Sequence, residues 1–310
     1  MRTLAALALA AAAGCGRFGF AEHSSGDGAP NDTVALGDGH IYMDADVLAV
    51  PFTNITPVAE VNDPTASEDD PTLTADLLEI YFDSDRTASG AAMGDIWVAK
   101  RAGPTQPFGT PTLVTELASL SDDTTPEISL DGLTMYFSSD RLTANDRDIY
   151  VTTRPDRASP WSTPVRVPEL SSVGKDDDSA EIMPDGIHMV MSRGVQPALD
   201  LELVTRVNTT APWGSLVPLP GLDDPVNDES QQWASPDLTV VYFVSDRPTS
   251  NSQDIWLGTR PDTQSAFTIT RVTELSTGAQ DTDPWLTADL RTMYFASART
   301  GNMDIYTATR

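Results

Sequence analysis

The sequence predicts an all-β chain folded as a β-propeller of five four-stranded blades, with an N-terminal strand closing the last blade. Three observations carry this. A motif recurs five times at nearly constant spacing, each copy reads as several short strands, and a strand pattern missing after the last copy is present ahead of the first.

The repeat is anchored by Asp76, Asp131, Asp185, Asp237 and Asp289, at intervals of 55, 54, 52 and 52 residues. Strand a lies just before the anchor. Asp131-Gly132 and Asp185-Gly186 supply hairpin turn chemistry into strand b. The leucine that follows the anchor in the other three copies implies a different turn there. Strand b runs through Tyr81-Phe82, Tyr136-Phe137, Val190-Met191, Tyr242-Phe243 and Tyr294-Phe295. Neighbours on a strand point to opposite faces, so two large neighbours bury both faces of the sheet, as in sheets stacked on sheets. Three copies then carry an Asp-Arg pair (Asp85-Arg86, Asp140-Arg141, Asp246-Arg247); the fifth has Ala298-Arg299, and the third has lost the pair.

Strand c begins at Asp95, Asp148, Asp200, Asp254 and Asp304, with an arginine six residues on: Arg101, Arg154, Arg206, Arg260 and Arg310. Strand d follows an aromatic residue, within 108–117, 161–170, 213–222 and 267–275. The fifth set lacks a following d segment, and residues 52–61 repeat its pattern. The N-terminal strand is therefore expected to finish the C-terminal blade and hide two sheet edges.

Acidic residues outnumber basic ones by 46 to 19, a net charge of −27. Such a surface repels nucleic acid and anionic lipid and favours solubility and cationic partners. The only cysteine is Cys15, which excludes an internal disulfide, and His23, His40 and His188 are too scattered for a zinc site.

Residues 1–14 read as a signal peptide: a basic start at Arg2, an apolar run from Leu4 to Ala13, and small residues before Cys15. This segment resembles the bacterial lipoprotein signal, which implies lipidation of Cys15; a plain secretory signal with a nearby free thiol is the other reading. Residues 15–51 read as the lipidated cysteine and a flexible linker, and 52–310 as the propeller. The chain is then expected to be a monomeric exported lipoprotein of the bacterial envelope, touching the membrane through its lipid alone.

Units such as Thr125-Pro126 through Asp131-Gly132, followed by Met135-Tyr136-Phe137, Asp140-Arg141 and Asp148-Ile149-Tyr150, resemble the PD40, or WD40-like, propeller repeat. That repeat occurs in TolB-type periplasmic proteins and in the propellers of prolyl oligopeptidase-like and tricorn proteases. The resemblance covers residues 52–310. It implies a six-bladed ring as the alternative to the five blades counted here, and it is nearly silent on function.

The sequence holds neither a Gly-x-Ser-x-Gly nucleophile elbow nor a phosphate-binding glycine pattern. The protease relatives carry catalysis on a separate domain, and here the repeats occupy the chain. A residue present in every blade is expected to build blades, so structural roles fall to Asp85, Arg86, Asp95, Asp140, Arg141, Asp148, Asp246, Arg247, Asp254 and Asp304: aspartates capping turns, arginines pairing or packing.

An acid stands eight residues before every anchor: Glu68, Asp123, Asp177, Glu229 and Asp281. These predict an acidic ring near one mouth of the channel, whose oxygens would suit Ca²⁺. The other reading is that these acids cap their own loops and meet the repeat arginines. Asp70, Asp178, Trp233, Asp283 and Trp285 are candidates for the binding face. The function expected is a non-enzymatic scaffold that binds envelope proteins through the variable b-to-c loops. The alternatives are a glycan-binding propeller, with Trp233 and Trp285 stacking on sugars, and a glycoside hydrolase using two channel carboxylates.

Overall fold

The computed structural model describes residues 45–86, 94–195, 198–248 and 252–310. The signal peptide, Cys15 and most of the loop 87–94 lie outside the described residues.

The described chain forms five four-stranded antiparallel sheets. Strand β1 (Thr53–Pro57) precedes blade one, which comprises β2 (Glu68–Leu73), β3 (Glu79–Ser84), β4 (Asp95–Lys100) and β5 (Thr112–Leu113). Blade two is β6 (Asp123–Ile128), β7 (Thr134–Thr143), β8 (Asp146–Thr153) and β9 (Val165–Arg166). Blade three is β10 (Asp176–Ile182), β11 (His188–Val195), β12 (Ala198–Thr205) and β13 (Val217–Pro218), and blade four is β14 (Glu229–Ala234), β15 (Val240–Ser245), β16 (Asp254–Thr259) and β17 (Thr268–Arg271). Blade five is β18 (Asp281–Leu286), β19 (Thr292–Ser297), β20 (Asp304–Thr309) and, as its outermost strand, β1. The ring thus has five blades, not the six of the alternative, and β1 pairs with β20 through Thr53↔Thr309 and Pro57↔Tyr306.

The core consists of five apolar clusters, one between each pair of neighbouring blades. Tyr81 packs toward blade two and Phe82 toward blade five; Tyr242 and Phe243 divide the same way between blades five and three. Strand alternation alone sends adjacent aromatics to opposite faces, and neither face meets water.

The recurring arginines lock this arrangement. The Nε of Arg101, Arg154, Arg206, Arg260 and Arg310 donates to the carbonyl of Leu77, Gly132, Gly186, Leu238 and Leu290, at 2.6–2.7 Å. Each guanidinium also lies 4.2–4.4 Å over the aromatic that opens a d segment: Phe108, Trp161, Trp213, Phe267 and, for Arg310, Phe52. The first aromatic of the propeller therefore serves the last arginine.

Two expectations are corrected. The turns after the anchor aspartates are alike: Leu77, Leu238 and Leu290 adopt φ of 57–61°, beside 72° at Gly132 and 67° at Gly186. The anchor carboxylate accepts the amide two residues on in every copy, and the arginine holds the turn carbonyl, so the leucines are kept in a conformation glycine adopts freely. The segment read as linker also contributes structure: Ala45–Leu48 is one helical turn, and Val47 packs into the cluster between blades four and five.

Candidate functional site

The innermost strands β2, β6, β10, β14 and β18 line the channel, and each breaks register at the same place. Pairing with the next strand shifts between Asp69 and Thr72, Thr124 and Glu127, Asp178 and Glu181, Ser230 and Trp233, and Thr282 and Trp285. In each bulge one non-glycine residue has a positive φ of 47–53°: Asp70, Thr125, Ser179, Gln231 and Asp283. Left-handed backbone costs such residues roughly 1–2 kcal/mol apiece and persists where its surroundings enforce it. A bulge re-aims side chains, and here four of these five line one central cavity with Glu127 and Trp285. Its volume is about 10 Å³, room for about one water.

Carboxyls crowd this layer. Asp283 is 5% exposed and no basic side chain or backbone amide reaches it; its carboxyl lies against those of Asp69 and Asp70. Burial, then the Asp283 charge, lifts the carboxyls of Asp69 and Asp70 well above the usual range. Burial pushes Asp83 up to about 7 and Glu127 up to about 8, with the Asp283 charge adding to both. Glu127 accepts one weak hydrogen bond, from the Thr72 hydroxyl at 3.4 Å. Glu181 is raised by burial and by Glu127, and accepts the Ala234 amide at 2.8 Å. Arg147 enters from β8 and is taken by Asp178 at 2.8 Å. Burial among like charges disfavours the ionised form of these raised carboxyls.

The acids predicted to ring the channel mouth sit inside the blades instead. Glu68, Asp123, Asp177, Glu229 and Asp281 are fully buried, and each meets an arginine: Arg86 at 2.8 Å, Arg141, Arg193, Arg247 at 3.2 Å and Arg299 at 2.8 Å. Four of them also accept a loop amide, from Asp63, Ser172, Asp224 and Thr277. Apart from one buried Asp123 oxygen, their oxygens meet protein donors, and no group of three metal-ligating side chains occurs among the described residues. Burial still outweighs the pairing, pushing Asp177 up to about 6 and Glu229 up to about 7.

Among the repeat residues, Asp85, Asp140 and Asp246 accept the amides of Ser67, Asp122 and Asp228. Asp148 and Asp254 pair with Arg166 and Arg271, both at 2.7 Å, and Asp304 accepts the Thr300 hydroxyl. Asp95 is buried with one oxygen unpartnered. Of the binding-face candidates, Asp70 and Asp283 line the cavity, and Asp178 holds Arg147 and the Thr125 hydroxyl. Trp233 and Trp285 are committed largely to packing, against Tyr242 and Tyr294 with ring centroids 6.4 and 6.0 Å apart. Sequence reasoning missed Glu127 and Glu181. Their signal is that the position four after each ring acid is Thr72, Glu127, Glu181, Trp233 and Trp285, with acids in two adjacent blades only.

No family model matches the chain, and no curated protein matches its sequence. Its fold is similar to that of solved structures. One is an endo-arabinase from Bacteroides thetaiotaomicron, with a TM-score of 0.57 and 11% identity over 84% of this chain and 98% of that one. Another is Zg3597, a family 117 glycoside hydrolase from Zobellia galactanivorans, with a TM-score of 0.56 and 14% identity over 84% and 90%. A third is a TolB from Agrobacterium tumefaciens, with a TM-score of 0.50 and 17% identity over 78% and 76%. The chain spans 53% of the length of the TolB of Acinetobacter baumannii.

These likenesses correct the expectation that the chain is no enzyme. That expectation rested on the absence of known catalytic motifs, the lack of room for a separate catalytic domain and the recurrence of the motif residues in every blade, whereas the structures resembled over nearly their whole length are mostly glycoside hydrolases. Glycoside hydrolases share this fold, so the fold gives no ground for excluding an enzyme.

Proposed function

We propose that the chain is an exported, carboxylate-dependent glycoside hydrolase of the bacterial envelope, built on PD40-type repeats and anchored through lipidated Cys15. Glu127 is the general acid and Asp283 the general base. One observation carries the reading: these two carboxyls border the same water-sized cavity. Burial keeps Glu127 protonated up to about 8, so it can donate at neutral pH. Asp283, on the wall of the same cavity, takes the proton of the attacking water. An inverting glycosidase needs such an acid and base with room for one water between them. A cavity of this size holds the attacking water and no sugar, so the reading requires the glycan to reach it from the channel.

The endo-arabinase likeness places arabinan first in the substrate panel. The test is release of reducing sugar from arabinan and other plant and algal glycans. Glu127→Gln and Asp283→Asn are each expected to lower kcat on the order of 100-fold or more. The rate should fall as pH rises through about 8, where Glu127 loses its proton, and the product should carry the inverted anomeric configuration. A panel with no hydrolysis, or full activity in both variants, would overturn the proposal.

A further inference from the structure

Blade three departs from its neighbours at one spot, and a cleft opens there. In the other four blades the ring-pairing arginine is sandwiched by aromatics: Arg86 lies 5.1 Å from Trp97, Arg141 4.8 Å from Tyr150, Arg247 5.7 Å from Trp256 and Arg299 4.7 Å from Tyr306. The same site on β12 is Glu202, and the facing residue on β11 is Met191 where the others have phenylalanine. No ring of the described residues lies over Arg193. The Oε2 of Glu202 is buried with no donor, and burial raises its carboxyl. Where the ring is missing, a surface cleft of about 550 Å³ is lined by Glu202, Arg193, Lys175, Glu169, Trp213 and Leu216.

We propose that this cleft is a glycan-binding site separate from the channel, taking a short neutral oligosaccharide segment. Its volume falls within the roughly 300–1,000 Å³ of small-ligand sites. Its charges balance two against two, Lys175 and Arg193 against Glu169 and Glu202, which disfavours phosphorylated or cationic ligands. Sugar hydroxyls both donate and accept: they can donate to the Glu202 carboxylate and accept from Lys175, while Leu216 and the edge of the largely buried Trp213 give the cleft an apolar floor. The ligand class is taken from the hydrolase reading; binding here requires no hydrolysis.

The test restores the repeat. Glu202→Trp refills the cleft as in the other blades and lies outside the channel. In native gels cast with arabinan or another glycan of the panel, the wild-type chain should be retarded. Glu202→Trp should lose at least tenfold in affinity while cleaving short oligosaccharides at the wild-type rate. Circular dichroism checks its fold, and Lys175→Ala, an exposed change, gives a second reading with weaker retardation expected. Retardation unchanged in both variants, or no retardation of the wild type by any glycan, overturns this site. Binding that Glu202→Trp abolishes, with no hydrolysis of any glycan, would overturn the hydrolase reading and leave the cleft standing.

Discussion

Blade three and the other four blades solve one packing problem in two ways. In blades one, two, four and five, an arginine at the end of strand b reaches back to a buried acid and is covered by two aromatic rings. In blade three the arginine comes two residues early, at Arg193, and still reaches Asp177 and the Leu170 carbonyl. Gly194 makes this feasible: a Cβ there would stand 2.0 Å from the Ala198 carbonyl oxygen across the tight β11–β12 hairpin. The buried charge pair is kept and the rings are dropped. Neutralising a fully buried carboxylate is therefore the stricter requirement, and the aromatic cover is dispensable.

The sharpest way to break this comparison is to remove the arginines. Arg299→Ala leaves Asp281 buried and unpaired and is expected to cost about 3–5 kcal/mol in urea unfolding. Arg193→Ala should cost about 1 kcal/mol less, having no ring stacks to lose. Equal losses would mean that the rings contribute nothing. Gly194→Ala should destabilise by about 1–3 kcal/mol by forcing the hairpin apart, and a neutral result would show that Arg193 does not depend on that turn.

Asp178 of blade three, held by Arg147, and Asp283 of blade five, set against the carboxyls of Asp69 and Asp70 with no basic partner, set up the next test. Asp178→Asn should destabilise, whereas Asp283→Asn should stabilise by about 1 kcal/mol at pH 8. The folded chain holds protons on Asp83 and Glu127 up to about 7 and about 8, well above where the unfolded chain releases them. The stability they contribute is complete at pH 4 and lost as pH rises to 8, so Tm should be higher at pH 5 than at pH 8. The smallest effect belongs to the anchor turn. Replacing Leu77 by the glycine that blade three uses should shift stability by under about 0.5 kcal/mol, strain relief offsetting lost packing.

The blades were legible because their markers are local: anchor aspartates, paired aromatics and arginines at constant offsets report the same contacts in each copy. Phe52 could be assigned to blade five for the same reason. Arg193 was not legible, because its offset slips by two and only the hairpin geometry returns it to Asp177. The channel was misread for a related cause. A bulge flips the alternation of every innermost strand, so the ring acids point into the blades, and Glu127 reaches the axis where counting by twos does not place it. That hydrolase chemistry is compatible with so regular a ring came from comparison with other folds, since no residue pattern announces it.

The closure of the ring also sets an order in time. Strand β1 emerges first among the strands during synthesis, yet its partner β20 lies some 250 residues later, and Phe52 meets Arg310 only after all five repeats have been made. Blades one to four can assemble from neighbouring segments, while blade five waits for both ends. A chain of this design passes through a stage with two raw sheet edges, and its last folding step is slow because it joins the most distant contacts. Until β1 and β20 meet, each leaves an unpaired edge open to other chains.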